Sequence, residues 1–256
     1  MAQHLRGDWL ELVTAGGGTI RVLKAEHPRA RQLRLTVTPN GARVSYPHGM
    51  RSGQVYAFLR SQATWLEQKL DELNLSGKPM RALRVGQSTE FTLRGENVAL
   101  HWAEGPYPRV EAHEGHVTLV IPRPNSRALP VARGLLAMHL EGLIRRDVSR
   151  WLALYVPQLG LAPTAVRIRS MKSLWGSLDT RDRINLDLAL ALAPPMALRY
   201  VVVHELCHLK ERNHSARFWS QVERLLPGWR EQRNWLRGHG APLKFELDRL
   251  VADLAD

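Results

Sequence analysis

Cysteine is almost absent from this 256-residue chain: Cys207 stands alone. An intrachain disulfide framework is therefore excluded, and burial of apolar surface must hold the fold. Long hydrophobic runs are missing as well, since no stretch approaches the roughly 20 uninterrupted apolar residues of a membrane-spanning helix. The first residues, with His4, Arg6 and Asp8, lack the apolar core of a secretory signal. With the single cysteine, which fits a reducing interior, these absences make the cytoplasm the expected address, with no membrane partner. Internal repeats and low-complexity tracts are lacking too, which excludes solenoids and extended linkers.

Acidic residues are scarce. Asp and Glu number 24 against 36 Lys and Arg, a formal net charge of +12. Such an excess attracts polyanions without selectivity, so nucleic acid or a nucleotide enters as a partner to test. Yet the arginines are scattered, from Arg21, Arg29, Arg31, Arg34 and Arg43 to Arg167 and Arg169, and form no compact basic run interleaved with aromatics. Charge alone does not decide the function. An apolar share of 44% with 23% charged residues is ordinary for a globular protein with a real core.

Two periodicities alternate along the chain. Residues 9–14 and 19–24 read as strands around Gly16-Gly17-Gly18, a turn that tolerates positive φ. Residues 33–38 and 42–46 alternate apolar with polar across Pro39-Asn40-Gly41, and Asn-Gly in that position predicts a hairpin. Over residues 52–75 the period lengthens, with Val55, Phe58, Leu59, Ala63, Leu66 and Leu70 marking an amphipathic helix that Ser76-Gly77-Lys78-Pro79 ends. Strands are expected again at 89–93, 98–102 and 116–121. The proline-rich, polar stretch 122–130 is the best candidate for a boundary. Beyond it a long helix over 131–155 is expected, stopped by Pro157 and Gly160. Strands follow at 166–169, 173–178 and 183–188, with Thr180-Arg181-Asp182 as a turn. Helical elements then follow from Ala193-Pro194-Pro195 onward and at 215–226 and 228–237, before an amphipathic tail at 243–254. The fold class is α+β: a β-rich region over 1–125, a mainly helical region with a small sheet over 126–242, and a tail over 243–256.

The helix opened by Pro194 and Pro195 carries the chemistry. Within Val203-His204-Glu205-Leu206-Cys207-His208 stands an H-E-x-x-H pattern. His204 and His208 lie four residues apart, about one helical turn, so both imidazoles project from nearly one face and can reach one ion. Neutral imidazole suits Zn2+, and the adjacent Glu205 is placed to take a proton from an attacking water. The flanking Val201, Val202, Val203, Leu206 and Cys207 are apolar, so the helix is expected to be buried. Two histidines and a glutamate on such a helix are costly unless paired or metal-bound. A third ligand is needed, because catalytic zinc commonly takes three protein ligands and keeps a fourth position open. His214 follows His208 by six residues. Asn213 in a left-handed conformation could close the helix and Ser215 could cap the next, turning His214 back toward the metal. Glu211 and Glu223 are the alternatives. Cys207 reads as a small buried hydrophobe, and His113-Glu114-Gly115-His116 as a hairpin turn rather than a ligand pair.

Taken together, several segments resemble the YgjP-like metal-dependent hydrolases, relatives of the SprT-like and other zincin metallopeptidases. They are Lys172-Ser173-Leu174-Trp175-Gly176-Ser177, Ile184-Asn185-Leu186, Ala193-Pro194-Pro195, Tyr200 through Leu209, Asn213-His214-Ser215, Phe218-Trp219 and Arg233-Asn234-Trp235-Leu236. Residues 31–47 and 65–70 are similar to the family's N-terminal part. The resemblance implies a zincin-like catalytic half in which two helices carry the histidine ligands His204, His208 and His214, and the first also carries the catalytic Glu205. Leu174 and Leu178 depart from the Arg-Trp-Gly-Ser-Cys often seen in the family. The function expected is zinc-dependent hydrolysis of a peptide or protein substrate with Glu205 as general base. A strand beside the motif helix, 175–178 or 184–188, could pair with an extended substrate, but core packing of Trp175 against the motif helix is the favoured reading. Asn185 and Asp187 are candidates to orient a ligand histidine. The rival readings are a metal-dependent nucleotide phosphoanhydride hydrolase, a DNA-associated SprT-like protease, and a non-catalytic metal-binding interaction module.

Overall fold

Alternating apolar residues build the first sheet seen in the computed structural model, which describes residues 8–13, 19–26, 30–38, 41–72, 83–123, 125, 127–171 and 173–251. Contacts divide the chain into two units, Met1–Met80 and Arg81–Asp256. In the first unit, β1 (Asp8–Val13), β2 (Thr19–Glu26), β3 (Arg34–Thr38) and β4 (Gly41–Tyr46) form a sheet of order β1-β2-β4-β3. The hairpin expected around Asn40-Gly41 forms as the antiparallel β3–β4 pair, with Thr38 opposite Gly41. Its Pro39 and Asn40, the triple glycine at 16–18 and the helix stop at 76–79 lie outside the described residues. One face of the sheet buries Leu12, Val22, Ala42 and Val44 against Val55, Leu59, Leu66 and Leu70 of two helices. Those helices, α1 (Ser52–Ser61) and α2 (Ala63–Glu72), replace the single helix expected over 52–75. The chain leaves helical geometry at Gln62, whose N–H reaches both the Phe58 and Leu59 carbonyls and tightens the turn. Leu66 N–H still bonds the Gln62 carbonyl at 2.8 Å, so the apolar stripe continues across the break.

The second unit begins with β5 (Thr89–Leu93), β6 (Glu96–Glu104), β7 (Arg109–His113) and β8 (His116–Ile121), ordered β5-β6-β8-β7. The hairpin expected at Glu114-Gly115 is present, with His113 opposite His116 and Gly115 at φ 74°. Strand β7, its first arm, is not among the expected strands, although Arg109-Val110-Glu111-Ala112-His113 alternates polar with apolar. Buried Phe91, Leu100, Val117 and Leu119 belong to the same core as Leu136, Leu140 and Ile144 of α3 (Ala128–Leu159). That helix runs past the expected stop at Pro157, which falls in its last turn. It ends where Gly160 takes the left-handed cap at φ 73°.

A small sheet and three helices complete the fold. Strands β9 (Ala165–Arg169), β10 (Gly176–Leu178) and β11 (Arg183–Asp187) take the order β10-β11-β9, with β9 and β11 parallel and β10 antiparallel at the edge. A 3-10 turn, Leu188–Ala191, leads to α4 (Pro195–Cys207), α5 (Ala216–Leu225) and α6 (Trp229–Val251). The separate helix and tail expected at 228–237 and 243–254 are one helix through Pro242, as far as the described residues extend. A proline inside a helix costs about 3 kcal/mol. Leu236, Leu243, Leu247 and Leu250 share one buried stripe, and burying a leucine side chain contributes about 1.5–3 kcal/mol. Four of them outweigh the proline and keep the helix whole. The class is α+β, strand-rich toward the N-terminus. Among the described residues, no helix is long and apolar enough to cross a membrane.

Candidate metal centre

Helix α4 starts as its sequence dictates, with Pro194 extended at the cap and Pro195 in the first turn, where a missing N–H is tolerated. Val202, Val203, Leu206 and Cys207 are then buried, which fixes the rotation of the helix and brings His204 and His208 within 4.9 Å, ring centre to ring centre. The helix ends earlier than expected. His208 is its cap in right-handed geometry, and the N–H groups of Leu209, Lys210 and Glu211 fold back onto the carbonyls of Leu206 and Cys207. Asn213 therefore has no need of a left-handed conformation and does not adopt one; its Oδ1 instead accepts the Ser215 N–H at 3.3 Å. Ser215 caps α5 as its residue type predicts, its Oγ accepting from Phe218 N–H at 3.3 Å.

This corner turns His214 back onto the helix. Its Nε2 lies 3.0 Å from Nε2 of His204, and its ring lies 4.8 Å from that of His208. One nitrogen from each histidine falls within 4.8 Å of the others. Tetrahedral ligands at the roughly 2.0–2.1 Å of a zinc–nitrogen bond stand about 3.4 Å apart, and the His204–His214 nitrogens, at 3.0 Å, are close to that spacing. The chemistry of the donors fits a cation equally well. Burial first, then the neighbouring His208 and His214 and the Arg233 charge, pull His204 down to about 3, so its ring is neutral. Burial also lowers His208, against the opposing pull of the Glu211 carbonyl. That carbonyl accepts from His208 Nδ1 at 2.9 Å, which turns the Nε2 lone pair toward the cluster. Nδ1 of His204 is buried with no hydrogen-bond partner among the described residues. Phe218 stacks on His208 at 4.4 Å, and Trp219 lies flat against His214 at 5.6 Å, so aromatic packing holds the rings in place.

Glu205, on the same turn, lines one cleft with His204. It is 4% exposed, and burial pushes its carboxyl up to about 8 against the pull of the Leu178 N–H. Strand β10 lies directly on this side chain. A Cβ at Gly176 would stand 2.8 Å from Glu205 Oε1 and 2.8 Å from Val201 Cγ1, so only glycine leaves room. A cleft of about 210 Å³ opens here, with Trp175, Gly176, Tyr200, His204, Glu205 and Arg233 in its walls. A larger groove of about 400 Å³ runs past Leu152, Val156, Pro157 and Val166, but no titratable group lines it, so chemistry belongs to the smaller cleft.

The remaining candidates are engaged elsewhere. Glu223 accepts from Trp229 Nε1 at 2.7 Å and from Arg230 at 2.6 Å. Glu211 contributes its carbonyl rather than its carboxylate. Asn185 donates to Ser177, and Asp187 pairs with Lys244, so neither orients a ligand histidine as expected. Cys207 is fully buried, and burial pushes its thiol up to about 12, the behaviour of a hydrophobe. Trp175 packs on α6, where a Cβ at Gly240 would meet its ring at 2.6 Å. Sequence reasoning missed Tyr200, Arg233 and Arg237 as cleft residues. The available signal was helical spacing, since Tyr200 precedes His204 by one turn and Arg233 precedes Arg237 by one turn.

Comparison with known proteins agrees with this chemistry. The family described as YgjP-like, metallopeptidase domain, matches residues 31–239. Among solved structures, the zymogen of the Pyrococcus abyssi metallopeptidase abylysin is similar at 30% identity, covering 35% of this chain and 90% of its own, with a TM-score of 0.33. The zymogen of the Methanocaldococcus jannaschii metallopeptidase jannalysin is similar at 19% identity, covering 36% of this chain and 86% of its own, with a TM-score of 0.31. No curated protein matches the chain. Because the family match takes in most of the sequence, the chain belongs to the YgjP-like metallopeptidases and is a metal-dependent hydrolase acting on peptide bonds.

Proposed function

We propose that His204, His208 and His214 hold one zinc ion and that Glu205 is the general base of a peptidase located in residues 126–242. The observation that carries this reading is the cluster of three imidazole nitrogens within 4.8 Å of one another on the same turn as a buried carboxylate. Zinc bound there supplies Lewis acidity, which polarises a scissile carbonyl and acidifies water. Glu205 accepts the proton of the attacking water on a carboxylate oxygen and delivers it to the leaving amine. Burial favours the protonated form of Glu205, which suits the second of these steps, while the Leu178 N–H stabilises the anion needed for the first. Strand β10 is the edge of its sheet, and its outer side pairs with no other strand among the described residues. An extended peptide added there would run past Glu205 and present its carbonyl to the histidine cluster.

The rival readings draw less support. Arg94, Arg183, Arg212 and Arg230 are paired with Asp147, Asp179, Asp182 and Glu223, so these four cations are already neutralised within the fold. That argues against a nucleotide substrate or a DNA-recruited protease. A silent metal-binding module has no use for a carboxylate buried at the cost Glu205 carries.

The test is metal analysis of the wild type, His214→Ala and Glu205→Gln, paired with a peptide-hydrolysis screen. About one zinc per chain is expected in the wild type, with marked loss in His214→Ala. Glu205→Gln should keep its zinc and lose turnover. A wild type that takes up no zinc on reconstitution, or a Glu205→Gln variant that still turns over, refutes the assignment.

A further inference from the structure

Helix α6 brings two arginines to the cleft, Arg233 and Arg237, one turn apart on the same face. Their neighbours along the helix are committed elsewhere: Arg230 pairs with Glu223 at 2.6 Å and Arg249 with Glu246 at 3.3 Å. Arg233 and Arg237 make no ion pair among the described residues. The Arg233 guanidinium is instead laid over the rings of Trp219, at 5.1 Å, and Trp229, at 5.8 Å. Stacking of this kind fixes the plane of a guanidinium while leaving its edge donors unused. Tyr200 and Trp229 are themselves stacked at 6.0 Å, so Arg233 rests on a rigid aromatic shelf beside His204. The one carboxylate in the cleft wall belongs to Glu205, which is 4% exposed and turned toward β10. Arg233 and Arg237 thus line a cleft whose other walls are the uncharged Tyr200 and His204 and the apolar Trp175, Val201 and Leu236.

We infer that Arg233 and Arg237 form a carboxylate-binding subsite that selects substrates carrying an anionic group next to the scissile bond. The inference rests on the proposal that this cleft is the catalytic one, and it deepens that proposal by naming the substrate class. Arginine meets a carboxylate through two parallel hydrogen bonds, and an edge held by stacking loses little freedom on binding. The cleft, at about 210 Å³, is below the roughly 300–1,000 Å³ of sites that enclose a small molecule whole, which suits one end or one side chain of a peptide. Two sources supply the group: the free α-carboxylate at a peptide's C-terminus, or an Asp or Glu side chain within the chain. The first makes the enzyme trim C-termini, and the second makes it cut beside acidic residues.

The experiment compares kcat/KM of the zinc-loaded full chain on matched peptides: internal Glu against Gln at each position flanking the cut, and C-terminal acid against carboxamide. In parallel, tryptophan fluorescence follows binding of acetylated dipeptide acids and carboxamides to the full chain with and without zinc. One acidic series should be preferred at least tenfold, and the binding difference should persist without zinc. Arg233→Gln with Arg237→Gln should flatten both ratios, and Arg233→Lys should leave an intermediate ratio. Both arginines are exposed, and thermal unfolding verifies that the variants are folded. Preference in the Glu/Gln series assigns the subsite to side chains, and preference in the acid/carboxamide series assigns it to the terminus. Hydrolysis with no acidic preference overturns the subsite and leaves the proposed peptidase standing. Arginine-dependent binding of acids with no hydrolysis of any peptide supports the subsite and refutes the proposed catalytic role. Absence of both binding and preference overturns the inference.

Discussion

Replacing Lys244 by methionine isolates the interaction that holds the cleft wall in place. Lys244 Nζ ion-pairs with Asp187, donates to the carbonyls of Met171 at 2.7 Å and Leu174 at 2.9 Å, and lies 4.6 Å from the Trp175 ring. All three ammonium hydrogens are used. Asp187 is fully buried, and its other oxygen accepts the Ala189 N–H at 2.9 Å. Methionine keeps most of the packing volume but leaves a buried carboxylate with one amide and two carbonyls without a donor. Breaking a buried ion pair from one side costs about 3–5 kcal/mol, and the part-buried Met171 carbonyl left without a donor about 1 kcal/mol more. A limit exists. Burial already pushes the Asp187 carboxyl up, against the pull of Lys244 and Ala189, so the acid protonates rather than remain an isolated anion. The expected loss is therefore near the lower end, about 3 kcal/mol. For a unit of this size that lowers Tm by about 6–12 °C.

A double-mutant cycle supplies the control. Lys244→Met with Asp187→Leu removes both charges together, and burying apolar groups in place of an ion pair is often neutral or better. The double variant should unfold at higher urea than Lys244→Met alone, with a coupling energy of at least about 1.5 kcal/mol. A single variant that costs under about 1 kcal/mol, or two effects that simply add, would show that Lys244 is no anchor and that Trp175 is held by Gly240 packing alone.

Gly176→Ala should reduce kcat/KM at least tenfold, because the new methyl group meets Glu205 Oε1 at 2.8 Å. Overpacking of this kind costs about 1–3 kcal/mol of stability, so peptide kinetics and thermal unfolding should both report it. Acid should weaken the metal-free protein through its histidines. His204 is held at about 3, and His208 and His139 are also lowered, chiefly by burial. Folded pKa values below the unfolded value of about 6.5 mean that the unfolded chain binds more protons. The stability is thus full above pH 6.5 and declines as pH falls from there toward the folded values. Glu205, pushed up to about 8 by burial, works the other way, adding stability as pH falls from 8 toward its ordinary range. Urea midpoints at pH 8 and pH 5 are therefore compared in metal-free Glu205→Gln, where an unchanged midpoint refutes the histidine effect. Asp179, held down at about 2 by hydrogen bonds from Arg183 and Arg181, contributes only below its ordinary carboxylate range and leaves that window clear.

What the sequence made legible is what depends on neighbours a few residues apart. The His204–His208 pair follows from helical spacing, the Ser215 cap from residue type, and the Glu114-Gly115 hairpin from a glycine at positive φ. His214 could be placed near the pair because a short corner leaves few directions to turn, although the turn itself is built differently from the one expected. What was hidden depends on distant partners. Lys244 and Asp187 are 57 residues apart, and nothing local to either announces the other. The continuity of α6 through Pro242 is decided by a core that distant elements, α3 and α4 among them, supply. Arg233 and Arg237 look like two more members of a scattered basic population until the fold shows that they face a cleft and their neighbours do not.

The same comparison bears on where the catalytic unit ends. The family match stops at residue 239, within α6, whose helix continues to Val251. Leu243, Leu247 and Leu250 beyond it are buried in the shared core, and Gly240 and Lys244 are the residues that seat Trp175. Glu246 accepts the N–H of Thr92, and Arg249 donates to the carbonyl of Glu90, joining the helix end to β5. A carboxylate kept at 4% exposure and an imidazole nitrogen without a partner are both unfavourable, and a fold retains them only where the surroundings are rigid. The last turns of α6 contribute to those surroundings through Trp175, a wall of the same cleft. Residues outside the matched region are therefore part of what lets Glu205 remain buried beside the histidines, and the support of the site reaches further along the chain than the motif that identifies it.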